Sequence, residues 1–158
     1  MTPAIKAVSS AGVGVTLHEY HHDPANSSFG REAAEALGLD PRRVFKTLLV
    51  ELNDDCRKLA VAVVPVSGQL DLKAMASACA AKKASMADPA QAERVTGYKV
   101  GGISPLGQKR CLPTVVDAAA LDFEKIYVSG GRRGLDIGIA TADLIRLCRA
   151  TTAPIGRS

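Results

Sequence analysis

Two neighbouring apolar runs dominate the hydrophobic pattern of the chain, and the first carries a cation. Residues 44–50 (VFKTLLV) are uninterrupted by Gly or Pro and predict a strand with Lys46 near its middle. Because successive side chains of a strand point to opposite faces, Lys46 shares a face with Val44, Leu48 and Val50. A buried, unpaired ammonium is costly, so this lysine either extends to the sheet edge or meets an anionic ligand.

The second run predicts a strand covered on both faces. Residues 58–66 (KLAVAVVPV) are almost continuously apolar, as expected of a central strand. Pro65 belongs near the end of that strand because it cannot donate to a ladder. Asn53-Asp54-Asp55 joins the two runs, and these polar, left-handed-tolerant residues predict a hairpin turn.

Capping residues predict five helices around these strands. The helices are expected from Pro3 to near Ser10, over Phe29–Leu37 behind Ser27-Ser28, from Leu72 to about Lys82 behind Asp71, from Asp88-Pro89 to Gly97, and from Thr141 onward. Shorter strands are predicted at 14–22, 114–116 and 126–129, with a frayed tail from Thr151. The interleaving has no regular βαβ rhythm, which indicates an α+β fold with a mixed sheet in one domain, residues 1–158.

Composition excludes some classes of function. The 20 Lys+Arg against 16 Asp+Glu give a formal charge of +4, which is compatible with a polyanionic partner without demonstrating one. No apolar run reaches the roughly 20 residues of a membrane span, and no signal peptide is evident, so we expect a cytoplasmic protein. The four cysteines form no CxxC pair and are expected to be reduced thiols.

Glycines around a Ser-Pro turn form a second unusual stretch. Residues 98–112 (YKVGGISPLGQKRCL) include Gly101, Gly102 and Gly107, a density that lets a backbone approach a ligand closely. The pattern is neither a Walker loop nor GxGxxG, and a plain wide loop is the alternative. A third candidate is Ser129, which is followed by the glycines and arginines of 130–134 and is compatible with a phosphate cradle.

Standard catalytic templates are missing from the sequence. There is no GxSxG elbow, HExxH helix or recognisable carboxylate pair. His18, His21 and His22 fall on both faces of a predicted polar strand end, without a complementary Cys/His pair, so we expect no metal site. The remaining groups suit an anion or acyl-ester site that stabilises charge on a carbonyl oxygen but has no protein nucleophile.

Several long motifs, in order along the chain, resemble the YbaK family of aminoacyl-tRNA deacylases, relatives of the editing domain of bacterial prolyl-tRNA synthetases. The motifs are Phe29-Gly30, 44–50, 63–73 (VVPVSGQLDLK), Gly97-Tyr98, 101–109 (GGISPLGQK) and 126–137 (IYVSGGRRGLDI). The resemblance covers nearly all of the chain and implies a mixed β-sheet curled toward a barrel and flanked by helices.

The same resemblance implies the site residues. The family's essential lysine falls on Lys46, and the backbone that faces the aminoacyl ester falls on Gly101 and Gly102. The substrate-binding positions implied in this way are Tyr20, Phe29, Thr47, Ile103, Ser104, Pro105, Ser129 and Asp136. No cofactor is implied.

The implied activity is trans-editing of mischarged Cys-tRNA(Pro), and also of Cys-tRNA(Cys). In the family's proposed chemistry the substrate thiol attacks its own ester carbonyl, which removes the need for a protein base. Prolyl-tRNA synthetase is the implied protein partner. Two alternatives stay open: a deacylase for another aminoacyl-tRNA such as Ala-tRNA(Pro), and a non-catalytic tRNA- or nucleotide-binding module.

Overall fold

The computed structural model describes residues 1–158 and contains five α-helices and ten β-strands. In chain order the elements are α1 (Pro3–Ser10), β1 (Thr16–Glu19), α2 (Phe29–Leu37), β2 (Phe45–Leu52), β3 (Asp55–Pro65), β4 (Gln69–Leu70), α3 (Leu72–Ala78), β5 (Ala84–Met86), α4 (Pro89–Thr96), β6 (Thr114–Asp117), β7 (Lys125–Arg132), β8 (Leu135–Ala140), α5 (Thr141–Cys148), β9 (Thr151–Ala153) and β10 (Gly156–Arg157). A short 3₁₀ helix, Ala118–Asp122, follows β6. None of the five α-helices combines the length and apolar character needed to span a bilayer.

The strands form three sheets rather than one closed surface. The largest has the order β5-β2-β3-β6-β9, with antiparallel pairs around β2 and parallel pairs around β6. The others are β1-β8-β7 and β10-β4. The expected α+β class and mixed sheet are therefore confirmed. The sheet does not close into a barrel, because β7 is joined to the chain at β2 only by an isolated parallel bridge between Tyr127 and Val44, the residue just before β2.

The hydrophobic core lies on both faces of β3. Val61 and Val63, both fully buried, pack with the apolar sides of α1, α4, α5, β7 and β8. Ala62 and Val64 point the other way and pack with Met75 of α3. The almost continuous apolar run predicted as a doubly covered strand thus has that environment, since each face of β3 contacts a separate cluster.

Local capping explains several helix ends. The hydroxyl of Thr2 accepts from the Ile5 amide at the start of α1, and Asp71 accepts from the Ala74 amide at the start of α3. Gly38 and Gly97 adopt left-handed conformations that end α2 and α4. The prediction that Ser27-Ser28 caps α2 was wrong in its chemistry, because the Ser28 side chain makes no capping bond.

Long-range contacts override the local pattern at α3. This helix ends at Ala78 rather than at Lys82, and Ala80 turns the chain with a φ of 55°. The amides of Lys82 and Lys83 then donate to the Asn53 side chain, at 2.9 and 3.2 Å. The residues predicted to finish a helix are therefore held by the β2–β3 turn and lead into β5.

Two further boundaries differ from expectation. The strand predicted at 126–129 continues to Arg132, because a register shift between Ser129 and Arg132 accommodates the intervening glycines as a bulge. The strand predicted at 14–22 is confined to β1, which ends at Glu19.

The C-terminal tail was predicted to be frayed, but in the structure it is ordered. Its strand β9 pairs in parallel with β6, and Ile155 is fully buried. The Asp117 carboxylate accepts from the amides of Ile155 and Gly156, each at 2.9 Å. Those bonds come from a residue 38 positions earlier in the chain, so local composition carries no sign of them.

Candidate active site

A cavity of about 430 Å³ opens where β2 lacks a neighbouring strand. On its outer side β2 pairs with β5 only at Val50–Leu52 and meets β7 only at Val44, so the residues between have no strand partner there. Side chains from both faces can reach such an edge, which is why Lys46 and Thr47 both line the cavity although they alternate along the strand.

Three other regions contribute lining residues that were predicted from the sequence. The start of α2 supplies Phe29, and the glycine-rich loop after α4 supplies Gly101 and Ile103. The β7–β8 hairpin supplies Ser129 and Asp136, which face each other in antiparallel register.

The structure brings together eight of the eleven site residues predicted from the sequence. These eight are Tyr20, Phe29, Lys46, Thr47, Gly101, Ile103, Ser129 and Asp136. Gly102, Ser104 and Pro105 are buried and do not line the cavity. The Gly102 amide donates to the Lys99 carbonyl at 2.8 Å, and the Ser104 hydroxyl accepts from the Leu106 amide at 3.2 Å. Gly102 and Ser104 are thus engaged in turn contacts of the loop itself.

Lys46 combines partial burial with a free donor capacity. Its Nζ donates to the carbonyl oxygen of Gly68 at 3.0 Å, in the turn between β3 and β4. An ammonium has three donors, so two remain for a ligand. Burial, with a smaller contribution from the positive charge of Arg31, lowers the pKa of Lys46.

Asp136 and Thr47 are polar groups without protein partners. Burial raises the pKa of the Asp136 carboxyl to about 7, and no hydrogen bond from the protein offsets this effect. The Thr47 hydroxyl is buried and has no hydrogen-bond partner. Buried polar groups are normally satisfied, so the unpartnered Thr47 hydroxyl, together with the desolvated Asp136 carboxyl, indicates a place for a polar ligand at this cavity. Burial, and then the nearby Asp136, also raise the pKa of Tyr20.

Of the two adjacent glycine amides, only the amide of Gly101 lacks a partner in the protein. The neighbouring Val100 amide donates to the Glu93 carboxylate at 2.8 Å. Gly101 has a φ of +91°, and a Cβ there would lie 2.7 Å from Arg133 Nε and 2.9 Å from the Phe29 ring. Backbone conformation and space therefore both require glycine at this position.

The three histidines have separate environments. His18 pairs with the Thr16 hydroxyl at 2.8 Å, whereas His22 Nδ1 lies 2.6 Å from a carboxylate oxygen of Glu32. Burial would raise the pKa of Glu32, but hydrogen bonds from His22 and the Asp23 amide lower it. His22 and Glu32 thus join the segment before α2 to that helix. The structure contains no group of three His, Cys, Asp or Glu side chains able to hold a metal ion.

The sequence analysis missed one wall of the cavity. Met86 of β5, Ala87 just after it, and Pro89 and Ala92 of α4 add apolar surface to the cavity lining. The sequence analysis assigned no site residue to α4, although Pro89 and Ala92 of this helix line the cavity. The spaced alanines of 87–92 are compatible with a shallow wall, but they are equally typical of an ordinary amphipathic helix.

The chemistry of the lining is that of a site that binds and polarises an ester. It offers a cation, a free backbone amide, a buried carboxyl and an apolar side, and it contains no cysteine or histidine. Its serine and threonine hydroxyls therefore have no histidine to activate them as nucleophiles.

Known proteins resemble this chain in sequence and in architecture. A family model described as the aminoacyl-tRNA editing domain matches residues 22–147. The chain is 38% identical to EbsC of Enterococcus faecalis, named as a candidate Cys-tRNA(Pro)/Cys-tRNA(Cys) deacylase, over 98% of this chain and 92% of that protein. It is 29% identical to a multifunctional Ser/Thr-tRNA deacylase, ProXp-y, of Escherichia coli K12, over 56% of this chain and 54% of that one.

Two solved structures show the same fold. A candidate trans-editing enzyme for prolyl-tRNA synthetase superposes with a TM-score of 0.84 at 22% identity, covering 99% of this chain and 96% of that chain. The hypothetical protein APE2540 gives 0.86 at 23%, covering 98% and 99%. The chain belongs to the aminoacyl-tRNA editing domain family. The class expected from the sequence, an aminoacyl-tRNA deacylase that cleaves the ester, is confirmed.

Proposed function

We propose that this protein removes cysteine from Cys-tRNA(Pro), and also from Cys-tRNA(Cys), in trans to the synthetase that made the error. One observation carries the proposal: Lys46, the free Gly101 amide and the unpartnered Asp136 carboxyl line one cavity that lacks an activated nucleophile. Such a site suits a substrate that brings its own nucleophile. The similarity to EbsC over almost the whole chain supports cysteine as the amino acid.

Each end of the substrate has a complementary group in the cavity. The Gly101 amide donates to the ester carbonyl oxygen and stabilises the charge that develops there. The Asp136 carboxylate pairs with the α-ammonium of the amino acid, which also favours its ionised form. Lys46 binds the ribose or phosphate of the terminal adenosine with its remaining ammonium protons.

The proposed chemical step is intramolecular. The cysteine sulfur bonds to its own carbonyl carbon while the carbon–oxygen bond to the ribose breaks. The thiol proton ends on the departing ribose hydroxyl, and the products are a cyclic thiolactone and intact tRNA. Holding the ester in the attacking geometry is then the main contribution of the protein.

We infer that residues 1–158 act as one domain, in the cytoplasm, with aminoacyl-tRNA as partner. The modest charge of +4 favours weak tRNA affinity, so we further propose that prolyl-tRNA synthetase delivers the substrate. A different specificity is the second candidate, because ProXp-y, named for Ser/Thr-tRNA, is also similar to part of the chain.

A panel of charged tRNAs tests the proposal. One tRNA(Pro) body is charged with cysteine, S-methylcysteine, alanine or serine, and single-turnover ester loss is measured at saturating protein. We expect rapid loss only for cysteine, with a thiolactone detected by mass spectrometry. Equal loss of the S-methylcysteine ester would exclude attack by the thiol, and preferential loss of serine or alanine would reassign the substrate. Binding without any ester loss would favour the non-catalytic module.

A further inference from the structure

One exposed arginine outside the cavity contacts two of its walls. Arg133 lies in the turn between β7 and β8, and its Nε and Nη2 both donate to the Val100 carbonyl, at 3.0 and 2.6 Å. Its guanidinium carbon lies 4.6 Å from the centre of the Phe29 ring. A single side chain thereby joins the glycine-rich loop to the start of α2.

Because the peptide group is rigid, the contact of Arg133 with the Val100 carbonyl also sets the direction of the Gly101 amide. The structure has no cis peptide bonds, so the Val100 carbonyl and the Gly101 N–H point in opposite directions from one rigid plane. A guanidinium that fixes the carbonyl therefore fixes the direction of the amide. The preceding peptide is fixed as well, because the Val100 amide donates to Glu93.

The two adjacent glycines of the loop pack so closely in this arrangement that neither position has room for a Cβ. A Cβ at Gly101 would collide with Arg133 Nε and the Phe29 ring, and a Cβ at Gly102 would lie 2.8 Å from the Arg132 Cα. The loop thus rests on the backbone of the hairpin turn, and the Arg133 side chain passes over it to the aromatic ring.

We propose that Arg133 is a positioning residue that aims the Gly101 amide and holds Phe29 against the cavity. The inference rests on the proposed function, in which that amide meets the ester carbonyl. Planar, multidentate contact is the reason for arginine here, since a lysine would keep the charge but lose the fork and the flat face that stacks on the ring.

The adjacent Arg132 provides a matched control. It is also exposed and cationic, but its guanidinium pairs with Glu19 at 3.2 Å instead of with the loop. Both arginines are exposed neighbours at the β7–β8 turn, so a purely electrostatic role predicts similar effects for the two substitutions. A positioning role predicts an effect for Arg133 alone.

The experiment compares Arg133→Ala, Arg133→Lys and Arg132→Ala in the full chain by three measurements. These are the saturating single-turnover deacylation rate, the affinity for uncharged tRNA(Pro), and the amide resonance of Gly101 in a ¹H–¹⁵N spectrum. For Arg133→Ala we expect the rate to fall about 10- to 100-fold, as expected when a reacting group is misplaced. The tRNA affinity should change less than about twofold, and the Gly101 resonance should move.

Arg133→Lys should recover only part of the rate, and Arg132→Ala should match the unaltered protein in all three measurements. Weaker tRNA binding with an unchanged saturating rate would overturn the proposal in favour of a phosphate contact. An unmoved Gly101 resonance would also overturn the proposal.

If the unaltered protein cleaves none of the charged tRNAs, the proposed function fails. The Gly101 resonance alone then decides whether Arg133 positions the loop.

Discussion

Strands β2 and β3 lie side by side, yet they have opposite environments. β3 is covered on both faces and flanked by β2 and β6, and every residue from Leu59 to Pro65 is buried. β2 loses its outer neighbour after Val44 and regains one at Val50, and in that gap Lys46, Thr47 and Leu48 stay partly exposed. The comparison indicates that the site exists because a strand partner is missing.

The difference also separates stability from function. Residues of β3 contribute buried apolar area and satisfied ladder bonds, which stabilise the fold. Thr47 at the open edge of β2 has a buried hydroxyl without a partner, and Asp136 of β8, which lines the same cavity, has a desolvated carboxyl. We therefore expect substitutions in the two regions to have different consequences.

The largest expected effect concerns the pH dependence caused by Asp136. Because burial raises its pKa to about 7, the folded protein holds a proton that the unfolded chain loses above about pH 4. The stability contributed by the neutral carboxyl is complete below that pH and is lost as the pH rises through 7. Asp136→Asn should match the unaltered protein in free energy of unfolding near pH 4 and exceed it by up to about 4 kcal/mol at pH 8.

Urea unfolding of both proteins from pH 4 to 8 measures this difference. Other titrating groups contribute equally to the two proteins and cancel. A gap that stays constant over the whole pH range would show that the Asp136 carboxyl is ionised normally in the folded state.

The next prediction concerns β3, the strand that is covered on both faces. Val63 of β3 is fully buried, so Val63→Ala should lower the free energy of unfolding by about 2 kcal/mol through lost burial and a residual cavity. The saturating deacylation rate, measured where the variant is fully folded, should change little. A rate loss comparable to that of a cavity substitution would contradict the separation between the strands.

The smallest expected effect concerns Thr47, at the edge of β2 that has no neighbouring strand. Thr47→Val removes a buried hydroxyl that has no partner while nearly keeping the side-chain shape, so stability should rise by up to about 1 kcal/mol. Deacylation should slow if the hydroxyl meets the substrate. The contrary result, a loss of stability in the free protein, would indicate that the hydroxyl is already hydrogen-bonded in solution. Thermal unfolding and single-turnover rates together provide the measurement.

Sequence reasoning succeeded where local chemistry determines structure. Thr2-Pro3 and Gly97 bound the predicted helices, and Asn53-Asp54 takes the expected left-handed turn with φ of 55° and 53°. The alternation around Lys46 indicated an ammonium among aliphatic residues, and the structure places it half-buried beside the cavity.

The features that could not be predicted from the sequence depend on contacts between residues far apart in the chain. The chain after α3 is hydrogen-bonded to Asn53, the ordered tail is hydrogen-bonded to Asp117, and the Val100 carbonyl of the glycine loop accepts from Arg133. The resemblance implies Ser104 and Pro105 as site residues because its motif covers the loop as one stretch, residues 101–109. The Ser104 hydroxyl accepts from the Leu106 amide within the loop, the Pro105 carbonyl accepts from the Cys148 thiol of α5, and neither residue lines the cavity. No local pattern distinguishes the unpartnered amide of Gly101 from the bonded amide of Gly102.

Removal of the Lys46 amine tests the central claim most directly. Lys46→Ala and Lys58→Ala remove one cation from each of the two adjacent strands, and Lys58 is exposed on β3, outside the cavity lining. In single-turnover deacylation of Cys-tRNA(Pro) at saturating protein, we predict that Lys46→Ala slows ester loss about 100-fold or more. Lys58→Ala should leave the rate unchanged. Near-normal ester cleavage by the folded Lys46→Ala protein would contradict the account.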